Sequence, residues 1–381
     1  MANTLTLSAL TEVIFRARDI VAKEPTGYLQ GCTINTARDG VSINGTVSSF
    51  VTPAATVNSS VTPAMTVPSA DDYTIAAKTM TIGQTANVKQ PIVGEDWLKL
   101  QNTAGYERVM QDMFAQAIRG IRNKIELHTA GIAQLGASRA VGTAGTTPFA
   151  TTINNIADVR QILVDNGAPI DGNLSLVLNT TAGTKLRQVP NLYKANEAGS
   201  DVLLRRGELL NLEGFSIRET AQTVTTVAGG GTGYQINLVA GYVVGNTSLV
   251  VGTGSGTILA GDVVTIGNYN YVVATGLAAP GTLVIAEPGL REVIANTTAV
   301  SVVAAYASNT AFHRSAIELV MRPPALPPSG DIAVERMTVS DDTGLVFEVA
   351  LYKGYLMNMF DFTTYYQAKA WNSKYIATLM G

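Results

Sequence analysis

The sequence predicts an α+β chain, and three observations predict it. Between about residues 105 and 132, apolar side chains recur three and four apart, the period of a long amphipathic helix. Between 153 and 189, helix-like and strand-like stretches alternate, as in a core where helices pack on a sheet. Between 222 and 305 the only charges are Asp262, Glu287, Arg291 and Glu292, set among short runs such as DVVTIGNYNYVVATG and GTLVIAEPG. That composition reads as a small all-β unit with turns at its Gly, Pro and Asn residues. Mixed patterning returns at Ala311, so the β unit reads as an insertion in a loop of the core.

Taken in order, MANTLTLSALTEVIFRARDIVAKE places Leu10, Val13, Ile14, Ala17 and Val21 on one face and predicts a first helix. It has no basic leader followed by an apolar core, so no signal peptide is expected. Residues 33–90 alternate Val, Ile, Thr and Ser with Pro and Gly, which predicts long strands joined by an extended loop. Within it TPAATV (52–57) is echoed as TPAMTV (62–67), either a short repeat that pairs as a hairpin or a coincidence of low complexity. Lys78, Met80, Ile82, Val88 and Lys89 continue the extended character.

The helix near 105–132 carries apolar residues at 109, 110, 113, 114, 117, 118, 121 and 125 and would span roughly 40 Å at ~1.5 Å per residue. Gly120 costs it up to ~1 kcal/mol relative to alanine, which implies close packing there. INNIADVRQILVDN (153–166) predicts a second amphipathic helix, stopped by Gly167 and Pro169. LSLVLN (174–179) reads as a buried strand, and TTAGTKLRQV as a helix with a threonine available as its cap.

Composition then excludes several classes. Charged residues are 14% of the 381, against roughly a quarter in ordinary soluble proteins, so much of the surface is expected to meet protein. A net charge of -3 argues against a general nucleic-acid binder. Cys32 is the single cysteine, which rules out an intrachain disulfide and a thiolate zinc site built from this chain alone. No apolar run approaches the ~20 residues that cross a bilayer, and no membrane partner is expected. The Asn-x-Ser/Thr triplets at Asn44, Asn58 and Asn246 are expected by chance in so Thr-rich a chain.

Chemistry has little material. His128 lies in the long helix without partners at metal spacing, and His313 stands between Phe312 and Arg314. The clusters AGGGTG (228–233) and GTGSGTILAGD (252–262) lack the Gly-Lys-Ser/Thr ending of a phosphate loop and read as hairpin turns. Of the acid pairs Asp71/Asp72, Glu95/Asp96 and Asp341/Asp342, the last precedes Thr343-Gly344 and reads as a turn. No catalytic, metal-binding or cofactor-binding residue is predicted, and the chain is not expected to be an enzyme.

The segments AFHRSAIELVMRPPALPPSG and VSDDTGLVFEVALYKGYLMNMFDFTTYYQAKAWNSKYIATLMG resemble the closing strands of tailed-bacteriophage major capsid proteins with the HK97-type fold. The resemblance is to the subgroup of short-tailed phage coat proteins, in which a strand starting near a Phe-His/Arg pair and ending in prolines precedes Gly-Leu-x-Phe-x-Val. ELLNLEGFSIRET (208–220) is similar to the phrase that precedes the inserted β-domain of that subgroup. The specificity lies in the order of these phrases along nearly the whole chain.

The resemblance implies an N-terminal arm (1–32), an extended loop (33–72), a peripheral domain with a spine helix (73–150), an axial core (151–221), an inserted all-β domain (222–305) and closing core strands (306–381). It implies a coat subunit forming the hexamers and pentamers of an icosahedral shell around double-stranded DNA, held without sequence specificity. The implied partners are further copies, a portal protein, a separate scaffolding protein and a decoration protein. The implied location is the virion capsid, assembled in a bacterial cytoplasm. His313 would sit on a central core strand, bonded locally. The arm is too short for the cleaved assembly segment of some relatives, and nothing sets an asparagine beside Lys78 or Lys89, so no crosslink is expected. An encapsulin-like compartment shell and a β-rich adhesin or carbohydrate-binding protein are the competing readings.

Overall fold

The computed structural model describes residues 6–36, 41–51, 76–101, 105–150, 152–194, 211–341 and 343–381, with residues 63, 203, 207 and 209. Apart from Pro63, the echoed segments 52–57 and 62–67 lie outside the described residues, as do Asp71, Asp72 and Asp342.

In chain order, α1 (Leu7–Ala22), α2 (Tyr28–Gly31) and β1 (Thr33–Thr36) precede a ribbon of β2 (Thr46–Val51) and β3 (Ala76–Thr81). Then come β4 (Gln84–Val93), α3 (Gly94–Gln101), α4 (Tyr106–Leu135), β5 (Arg139–Gly142) and α5 (Asn154–Asp165). β6 (Leu174–Asn179), α6 (Thr180–Arg187), α7 (Pro190–Tyr193) and β7 (Phe215–Thr220) follow. Next are β8 (Tyr234–Ile236), β9 (Ser248–Gly252), β10 (Val263–Ile266), β11 (Tyr269–Thr275), β12 (Gly281–Ile285) and β13 (Ala299–Val302). The chain closes with β14 (Ser308–His313), β15 (Ile317–Arg322), β16 (Ala333–Ser340), β17 (Val346–Gly354), β18 (Met357–Ala370) and β19 (Ile376–Met380).

The 3.6-residue period of α4 buries Met110, Phe114, Ala117, Ile118, Ile121 and Ile125. This face packs on the sheet of β4, β18, β17 and β16, where Phe114 meets Phe360 edge-on at 5.1 Å and Phe362 at 5.5 Å. Burying each such ring contributes roughly 2–3 kcal/mol. β18 is long enough to pair with β4 along one edge and with β17, then β15, along the other. α1 lies against α4 and contributes Leu10, Val13, Ile14, Ala17 and Val21 to the same core.

Two local expectations are corrected here. Gly120 is exposed, and a Cβ there would stand 3.8 Å from Val88, an ordinary contact. The close approach comes instead at Gly136, where a Cβ would lie 2.4 Å from that of Ala370. The cap of α6 is not a threonine but Asn179, whose Oδ1 accepts from the Ala182 N–H at 2.7 Å.

The second core is the sheet β5-β19-β14-β6-β7, with β5 and β19 parallel, β6 and β7 parallel, and the central strands antiparallel. LSLVLN is β6, and α5 and α6 close over its apolar faces through Ile156, Val159, Leu163, Ala182 and Leu186. Among the described residues, the stretch between β7 and β14 forms a closed antiparallel ring, β10-β13-β8-β9-β12-β11 and back to β10. Its interior is filled by its own cluster, including Tyr234, Leu249, Val264, Tyr271, Leu283 and Val300.

The barrel is bound to the core as well as linked to it. β11 pairs with β5, and Gln134 Nε2 donates to Gly261 O at 2.7 Å. Asp165 bridges Arg139 at 3.0 Å and Arg291 at 3.2 Å. At its entry and exit, Thr226 N–H donates to Tyr306 O and Ser308 N–H to Val224 O, both at 2.9 Å. No helix among the described residues is long and apolar enough to cross a membrane.

Candidate functional site

His313 ends β14 and is buried. Its Nδ1 lies 2.8 Å from Ser315 Oγ and its Nε2 3.0 Å from Asp171 Oδ1, a serine–histidine–acid row. The Ser315 N–H also reaches Nδ1, at 3.3 Å. With Nδ1 accepting from both the hydroxyl and the amide of Ser315, the row braces the corner between β14 and β15. Asp171 also accepts from the Asn173 side chain and backbone, which with His313 hold its carboxyl down at about 2.

His128 is half-buried on α4, edge-on to Tyr366 at 5.4 Å, and desolvation lowers its pKa. Cys32 is buried, and burial with the nearby Glu126 pushes its thiol up to about 12, which leaves it unreactive near neutrality. No group of three or more His, Cys, Asp or Glu among the described residues could hold a metal ion. Glu95 and Asp96 fall in the first turn of α3, where carboxylates favour a helix start. Asp341 makes a turn: its C=O accepts from Gly344 N–H at 2.9 Å and its carboxylate from the Thr343 hydroxyl at 2.9 Å. Lys89 stands opposite Asp361 on β18, and Lys78 is exposed opposite Ser49 on the ribbon.

The glycine clusters are not two separate turns. They lie against each other, Thr232 and Ser255 exchanging backbone bonds at 2.9 and 3.0 Å. A Cβ on Gly254 would fall 2.2 Å from the Tyr234 ring, and that phenol donates to Gly256 O at 2.7 Å. Gly254 thus makes room for the Tyr234 ring, which packs in the barrel's interior cluster.

What remains exposed is surface suited to meeting protein. β2 and β3 pair in register from Thr46↔Thr81 to Val51↔Ala76, and among the described residues neither pairs with any other strand. A small cluster of Met80, Ile82 and Val320, with Val41, Val47, Tyr365 and Trp371, holds the root of this ribbon. Open strand edges are templates for pairing with another chain.

The approach of the α1–α2 segment to α4 is fixed by charges that sequence reasoning missed. Glu126 is buried on the apolar face of α4 and accepts from the N–H groups of Gly27, Tyr28 and Leu29 at 2.7–3.0 Å. Arg122, also buried, donates to the carbonyls of Val21 and Glu24, and Arg119 pairs with Glu24. The signal was available: a polar pair at i, i+4 on an otherwise apolar stripe.

No family model and no curated protein matches the chain. Among solved structures it is similar to one from Mycobacterium phage Che8, at 13% identity and TM-score 0.46, over 95% of this chain and 86% of that one. It is similar to the capsid of cyanophage P-SCSP1u at 11% identity and TM-score 0.47, over 92% and 86% of the two chains. It is also similar to a virus-like particle from Pyrococcus furiosus at 8% identity and TM-score 0.44, over 97% and 98%.

Proposed function

We propose that this chain is the major capsid subunit of a double-stranded DNA tailed bacteriophage, assembling into the hexamers and pentamers of an icosahedral shell. The observation that carries the reading is the β2–β3 ribbon, anchored at its root and pairing only with itself among the described residues. A ribbon of that kind is built to lie on a second copy, where main-chain groups and uncharged side chains complete the contact. The order of elements supports it: a helix clamped along α4, the ribbon, a sheet under α4, a second core sheet and a β-barrel inserted between β7 and β14. In this reading the α4 sheet is the peripheral domain and the β5-β19-β14-β6-β7 sheet the axial domain. Many modest contacts, repeated by closed symmetry, make the shell stable.

The partners would be further copies, a portal protein, a scaffolding protein and, on the barrel, a decoration protein, with the duplex held inside without sequence specificity. Assembly would take place in the bacterial cytoplasm. The test is negative-stain electron microscopy of the chain expressed alone and with the genes that flank its own. Closed shells of uniform diameter are expected in at least one sample, and monomers in both would overturn the reading.

A further inference from the structure

A cavity of about 820 Å³ opens between α1, α2, β1, β7 and the turn after β14, lined by Arg18, Lys23, Arg218 and Arg314 together with Gln30 and Thr343. One carboxylate, Asp19, also lines it, and its Oδ1 is taken by Arg18 Nε and Nη2 at 2.9 and 2.7 Å. Lys23 and Arg314 make no ion pair among the described residues. Arg218 is bonded through Nη1 to the uncharged Gln30 amide oxygen, and its Nε is buried with no hydrogen-bond partner among the described residues. Burial and the neighbouring Arg314 both work against the Arg218 charge, with the buried Glu126 opposing them in part. Among the described residues, three cations therefore face one cavity without a carboxylate of their own, in a chain whose net charge is -3.

We infer that this cavity is a phosphate-binding site, formed by Lys23, Arg218 and Arg314 with Gln30 and Thr343 beside them. Several cations around one concavity suit the three acceptor oxygens of a phosphate, and a guanidinium fork matches two of them. The chemistry rests on the cavity alone. Assigning the phosphate to the backbone of a packaged duplex rests on the capsid reading, and free phosphate is the other source.

The test uses the full chain and its Lys23→Gln and Arg314→Gln variants, both at exposed positions, with thermal unfolding to verify the fold. Inorganic phosphate is titrated by calorimetry and a short random-sequence duplex by fluorescence anisotropy across a salt series. The expected result is phosphate binding that weakens about tenfold or more in each variant, a step of ~1.4 kcal/mol. For the duplex, the slope of log affinity against log salt should fall by about 0.9 per variant, as for one lost backbone contact. Weakened phosphate binding with unchanged duplex binding supports the site with free phosphate as its ligand. Unchanged binding of both probes, or displacement of phosphate by polyglutamate at equal strength, overturns it. Electron microscopy of the same preparations separates the two ideas: shells without phosphate binding sink the site and spare the capsid reading, and phosphate binding without shells does the reverse.

Discussion

The barrel and the β2–β3 ribbon are written in nearly the same alphabet, rich in Val, Thr and Ala and poor in charge, yet they end in opposite states. The barrel pairs its strands around a closed ring and fills the interior with its own cluster. The ribbon has two strands, a small cluster at its root and open edges among the described residues. Two strands alone cannot bury a face, so they are stable only against something else. Uncharged β sequence is thus self-sufficient where closure is available and leaves open edges where it is not.

The comparison can be broken most severely inside the barrel. Tyr271 is fully buried and its hydroxyl accepts from Arg291 N–H at 3.0 Å, so Tyr271→Ala should cost about 3–5 kcal/mol in chemical denaturation. Next comes the junction of α1 and α2 with α4. Glu126→Ala removes the acceptor of three buried N–H groups and should lower stability by about 3 kcal/mol. Limited proteolysis should then cut the α1–α2 segment first.

In the ribbon, Ser48 is exposed, so Ser48→Pro should change unfolding of the isolated subunit by less than about 1 kcal/mol while, on the capsid reading, abolishing shells in micrographs. An equal loss of subunit stability would show that the ribbon is part of the core after all. The smallest effect concerns Asp262, whose carboxyl is raised by burial although Leu259 and Gly229 N–H groups bond to it. A carboxyl raised on folding stabilises most below its unfolded value near 4 and loses that contribution as pH climbs through the raised value. Melting temperature of the native chain should therefore carry a decline from about pH 4 upward that Asp262→Asn flattens.

Much of this was legible in the sequence. The periodicity of α1 and α4 named most of the buried residues, and the loss of charge between 222 and 305 marked the barrel. Periodicity reads only the sign of a face, so Arg122 and Glu126 passed as polar positions when the packing of α2 buries them. Gly254 answers to the Tyr234 ring, twenty residues away, and Gly256 to the Gly230 carbonyl, demands no local rule reveals. Strand β18 gains its length from pairing on both edges, and the cations at 18, 23, 218 and 314 share a cavity only because the topology gathers them.

The central claim, that the ribbon is finished by another copy, is tested most directly by amide hydrogen exchange on free subunits and on assembled shells. Amides of 46–51 and 76–81 should exchange quickly in the subunit and slow by at least an order of magnitude in the shell, while β8–β13 stay protected in both. Equal protection of the ribbon in the two states would contradict the account.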